Sequence, residues 1–144
     1  METLTFELST PIKYSPGTGA EIDGTHIEVS PPNGKIAHLI GTLKAEIMQA
    51  TKTSLDGIDL SSLEGKQVEK DNGDEDDEYG EFAFTALTMG GADMKKVFVT
   101  FKEIMKSSAL MGGEKPFTEP MWNRMDYPDV ERCLKEYIGN FMKA

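Results

Sequence analysis

Met94-Lys95-Lys96-Val97-Phe98-Val99-Thr100-Phe101-Lys102-Glu103-Ile104-Met105-Lys106 is the stretch that decides the fold class. Its apolar residues recur at spacings of three and four. Met94, Val97, Phe98, Phe101, Ile104 and Met105 therefore trace one stripe of a helix, with Lys95, Lys102 and Lys106 on the opposite side. Gly112-Gly113 reads as the close of that helix, since glycine takes the left-handed conformation a C-terminus favours. Downstream, Thr118 with Pro120 predicts a short helix through Trp122 to Met125. Asp126-Tyr127-Pro128-Asp129 predicts the next helix start: an N-cap, a first-turn proline and an acid at the third position. That last helix carries Val130, Leu134, Tyr137, Ile138 and Phe141 on one face. Upstream, Phe82, Phe84, Ala86, Leu87 and Met89 form an apolar segment ended by Gly90-Gly91. Ala83 and Ala86 favour helix there, whereas the Phe82/Phe84 alternation suits a strand.

The N-terminal part has a different period. Thr3-Leu4-Thr5-Phe6-Glu7-Leu8 alternates polar and apolar residues, and so does Thr25-His26-Ile27-Glu28-Val29, which predicts two strands. Pro11 to Gly24 between them reads as a long hairpin loop, with room for a short strand at Ile12 to Tyr14. Ser30-Pro31-Pro32-Asn33-Gly34 ends the sheet, because proline cannot continue a ladder. Ile36, Leu39, Ile40, Leu43 and Ile47 then share a helical face behind an Asn33 N-cap, fading by Thr51 to Thr53. Leu55, Ile58, Leu60 and Leu63 keep a weak helical rhythm. Asp71 through Glu81 carries seven acids and no base, and a run that repels itself reads as a mobile loop. The expected architecture is α+β, mainly α, in one domain over 1–144. It comprises a β-hairpin (1–34), a helical segment (35–65), an acidic mobile loop (66–81) and a helical C-terminal part (82–144), with four to five helices in all.

Composition narrows the function. A formal net charge of −10, from 25 acids against 15 bases, argues against nucleic acid and against an anionic membrane surface as partners. No apolar run approaches the roughly 20 residues of a membrane span, and Met1 to Thr10 lacks the basic start and apolar core of a signal peptide. Cys133 is the single cysteine, which fits a reducing cytoplasm.

The chain offers little to catalysis. Gly17-Thr18-Gly19-Ala20-Glu21-Ile22 lacks the third glycine of a dinucleotide fingerprint, and Asn33-Gly34-Lys35-Ile36 lacks the remainder of a phosphate loop. Read from Asp74 as a calcium loop, the acidic run places Tyr79 where glycine is required and Thr85 where the closing glutamate belongs. His26 and His38 stand without a nucleophile motif. No enzyme activity, metal or cofactor is expected. What stands out is methionine: nine in the chain, six of them between Met89 and Met125. Methionine adapts its shape to varied helical partners, and at helical spacing it serves equally as core filler.

Three stretches carry a resemblance. They are Leu8-Ser9-Thr10-Pro11-Ile12-Lys13-Tyr14 with Ile27-Glu28-Val29 and Pro31-Pro32; Phe84 to Met94, with its Gly90-Gly91 break; and Met125 to Phe141. Together they resemble the tail assembly chaperones of long-tailed bacteriophages, from which the acidic insert and the long hairpin loop depart. The resemblance implies a non-virion protein of the host cytoplasm. Such a protein binds the tape measure protein, helps recruit tail tube subunits and self-associates. Phe98, Phe101, Trp122, Tyr137, Phe141 and Met142 are the residues expected to meet a partner, with core sealing the alternative role for Phe101, Tyr137 and Phe141. Other readings of such a chain are a minor virion or tail structural protein and an acidic mimic of DNA.

Overall fold

The strand period at the N-terminus is realised as a long antiparallel pair. The computed structural model describes residues 3–17, 19–56 and 75–142, beginning with β1 (Leu4–Tyr14) and β2 (Ile22–Val29). Phe6 pairs with Ile27 and Ile12 with Gly24, with a register shift between Glu7 and Ile12. Leu8, Ser9, Thr10 and Pro11 thus stand opposite Thr25 alone, a wide bulge that accommodates the proline. The expected loop over Pro11 to Gly24 is shorter than its glycines suggested, because both strands run through the bulge.

Asn33 caps as expected, its side chain accepting a hydrogen bond from the Lys35 amide at 2.9 Å. A single 3₁₀ turn (Gly34–Ile36) leads into α1 (Ala37–Asp56), which buries Ile40, Leu43, Ile47 and Ala50. The short helix expected beyond Asp56 lies outside the described residues, as do positions 66–74 of the expected loop. From Glu75 the loop expectation is overturned: α2 (Glu75–Met89) is helical and buries Ala83, Phe84, Ala86 and Leu87. Gly80 explains the switch. A Cβ there would collide with the Lys135 carbonyl, so only glycine allows α2 this close to the last helix. Lys135 also pairs with Glu81 at 3.2 Å and lies 5.1 Å from the centroid of the Phe84 ring.

The stripe that opened the sequence reading is α3 (Met94–Ser108), capped by Asp93 and burying Val97, Phe101, Ile104 and Met105. It stops before the glycines. Ala109–Met111 forms β3 and Lys115–Pro116 forms β4, joined through Gly112 and Gly113 at φ 64° and 75°. Those glycines turn a hairpin rather than end a helix, correcting the expectation of an all-helical C-terminal part. The sheet order is β1-β2-β3-β4, with Met111 opposite Ile27 and Ala109 opposite Val29. Phe6, Ile27 and Met111 form one buried row across three strands, so a late segment completes the early hairpin. α4 (Glu119–Arg124) and α5 (Tyr127–Phe141) follow, each with proline in its first turn. The fold is α+β and mainly α, with five helices among the described residues. One hydrophobic cluster draws on the sheet and on the helices before and after the acidic run.

Candidate functional site

Helix α5 carries the best-specified polar site. Asp126 and Asp129 occupy its first turn, where an acid normally caps the helix. Neither makes a side-chain capping bond to its own helix at the N-cap position; both reach across to the β1 bulge. Asp129 is 1% exposed and accepts the Ser9 amide at 3.0 Å and the Thr10 amide at 3.2 Å. Those are donors that the bulge withdraws from the ladder, so the carboxylate satisfies groups that would otherwise be buried unpaired. Arg132 pairs with Asp129 at 3.3 Å and donates to the Ser9 hydroxyl at 3.2 Å, and the Thr10 hydroxyl donates to Asp126. Burial pushes Asp129 toward its neutral form, but the Ser9 and Thr10 donors with Arg132 outweigh it and hold the pKa below its ordinary value. Arg124 adds a bond to the Lys13 carbonyl at 2.9 Å. The outer edge of β1 is thus fastened by α4 and α5, which also denies it to stray strands. This is a structural clamp, not a reactive centre.

The chemistry-bearing side chains elsewhere are dispersed. Burial raises the Cys133 thiol pKa well above its ordinary value, which leaves it an unreactive core residue. His38 is exposed on α1 and His26 half-buried on β2. Among the described residues no group of His, Cys, Asp or Glu could hold a metal ion, and no helix is long and apolar enough to cross a membrane.

A second feature is apolar and open. Phe98 of α3, Trp122 and Asn123 of α4, Met125, and Tyr127 and Val130 of α5 line a shallow groove of about 330 Å³. The groove exists because α4 is short and Met125 leaves the helical conformation, so the chain turns over α3 before α5 begins. Tyr127 is 59% exposed and meets Phe98 edge-on at 5.9 Å between ring centroids. Trp122 is half-buried, its ring 5.9 Å from that of Phe101.

The six expected contact residues fall into two groups. Phe98 and Trp122 line the groove, and Phe141 is half-buried near the chain end. Phe101 and Tyr137 are fully buried and Met142 nearly so, which makes these three core residues with no surface to offer. Rings stack edge-on from Trp122 through Phe101 and Tyr137 to Phe141, the last two 5.0 Å apart. The groove floor thus rests on the core. The Tyr137 hydroxyl has no hydrogen-bond partner among the described residues, and burial raises its pKa. Sequence reasoning missed Tyr127 and Met125 as groove residues. Tyr127 reads as part of a helix-start motif, and that motif does not say which way its ring points. Against known proteins, no family model, no curated protein and no solved structure matches this chain.

Proposed function

We propose that this protein is a tail assembly chaperone of a long-tailed phage, not retained in the virion, that holds the tape measure protein and helps bring tail tube subunits to it. The observation that carries the reading is the open groove of Phe98, Trp122, Met125 and Tyr127 on a strongly acidic domain. A tape measure is a long helix whose apolar stripe stays uncovered until the tube encloses it. A holder must cover that stripe reversibly, by laying it in an apolar groove with adaptable side chains. Net charge keeps such a holder soluble while it offers apolar surface. The exposed Met48 and Met89 extend the supply of adaptable apolar surface beyond the groove. Affinity purification of the tagged protein from infected cells tests the reading. The tape measure should be recovered as the main partner, and purified virions should lack the protein by mass spectrometry. Recovery of no tail protein, or a stoichiometric presence in virions, contradicts it.

A further inference from the structure

We propose that the open half of the β1 edge pairs with the same edge of a second copy of this chain, antiparallel across a two-fold axis, so that one sheet runs through both copies. The inference stands on the sheet edge and uses neither the groove nor the chaperone reading.

The bonds between β2 and β3 decide which way β1 points its backbone. The Gly112 amide donates to the His26 carbonyl at 2.8 Å, and the Ser30 amide to the Ser108 carbonyl at 2.9 Å. His26, Glu28 and Ser30 therefore turn their backbone groups toward β3, since alternate residues of a strand bond to opposite sides. On β1, Thr5 stands opposite Glu28 and Glu7 opposite His26. Those are pairs without backbone bonds, so Thr5 and Glu7 point their amides and carbonyls outward, away from the sheet. The clamp reaches only the half of this edge from Ser9 on, where Asp129 takes the Ser9 and Thr10 amides and Arg124 the Lys13 carbonyl. Before Ser9, the outward groups of Thr5 and Glu7 meet no partner among the described residues, and both side chains are exposed. Residues 4–7 also carry no proline, lysine or bulge, the devices that keep an edge from pairing.

A second copy fits this edge because the segment is symmetric about Phe6. With Phe6 opposite its counterpart, Thr5 of each copy faces Glu7 of the other. Each such pair exchanges both backbone bonds, so every open group of Thr5 and Glu7 is satisfied. The same register sets Leu4 opposite Leu8. Both are half-buried at the margin of the core, and pairing covers them. A register centred on Glu7 would put two carboxylates face to face and bring Thr5 opposite Ser9, whose amide Asp129 already holds. One centred on Thr5 would leave Leu8 without an apolar partner.

Sedimentation of the purified full-length protein over a wide dilution series, with amide hydrogen exchange at both ends of the series, tests the pairing. A concentration-dependent dimer is expected. The Thr5 and Glu7 amides should gain protection in it, while the Phe6 amide, turned toward β2, is protected throughout. Thr5→Glu sets like charges opposite each other at both symmetry-related pairs and should weaken the dimer about ten-fold. Adding Glu7→Lys to that variant makes the same pairs attractive and should recover the loss, a rescue specific to this register. A monomer at every concentration overturns the proposal and leaves the edge to a strand of another protein. So does a dimer whose Thr5 and Glu7 amides exchange as fast as in the monomer, or one that Thr5→Glu leaves intact.

Discussion

Asp129 shows how one side chain joins two distant segments. The Ser9 and Thr10 amides lie 120 and 119 residues from it along the chain, and all three meet because the β1 bulge frees donors that only a buried acceptor can satisfy. Asp129→Asn should cost about 2 kcal/mol at neutral pH, measured by urea unfolding, since an amide cannot accept from both donors and answer Arg132. The pH dependence has a definite sign. The folded-state pKa lies below the ordinary 3.8, so the carboxylate's contribution is complete above about pH 4 and is lost as pH falls through the lower folded value. The stability gap between parent and Asp129→Asn should therefore close in acid; a gap constant from pH 6 to pH 2 would show that the charge of the carboxylate contributes nothing to the clamp. Phe101→Ala belongs to the same scale. Fully buried between Trp122 and Tyr137, it should cost about 3–5 kcal/mol, and a loss below about 1 kcal/mol would place the ring outside the core. Periodicity had made Phe101 legible as the centre of a stripe. It could not say that Asp126 and Asp129 would bind β1 rather than their own helix, because an N-terminal acid has the same sequence signature in both roles.

Among the elements, the helices with a clean 3.6-residue stripe were readable and the short ones set by tertiary contacts were not. α1, α3 and α5 follow their apolar residues, and Asn33 and Pro128 mark starts where local chemistry dictates them. α2 reads as a loop from its acids at the start, yet Lys135 answers Glu81 and Gly80 lets the backbones approach. Both compensations depend on Lys135 of α5, more than fifty residues away in sequence, where no local window reaches. Gly80→Ala should destabilise the protein by about 1–3 kcal/mol, the usual cost of overpacking, although alanine is the better helix former. A variant as stable as the parent would return the segment to a solvated loop. β3 and β4 were invisible for a related reason. Three and two residues make no periodic signal, and they are strands because Ala109 and Met111 find Val29 and Ile27. The same Gly112-Gly113 pair that suits a helix end suits a hairpin equally.

For the whole molecule, the acidic run does not divide the chain into two units, because the sheet and both sets of helices share one core. The groove follows from that plan: α4 and α5 are pinned to β1 through Arg124 and Asp129, which holds Trp122, Met125 and Tyr127 over α3. Of the site, Phe98 and Trp122 were legible as large aromatics in helical segments, whereas Tyr127 required the chain's turn at Met125 to be known. That geometry also selects the better probe. Trp122→Ala would disturb the Phe101 contact, whereas Tyr127 contributes exposed ring area and can be truncated with a stability change below about 1 kcal/mol. The most direct test titrates the purified protein with tape-measure fragments, following Trp122 fluorescence in the parent and in Tyr127→Ala. The account expects saturable binding to the parent and a loss of at least about ten-fold in affinity for the variant, consistent with a central aromatic anchor. No change in Trp122 emission with any fragment, or equal affinity for both proteins, would contradict it.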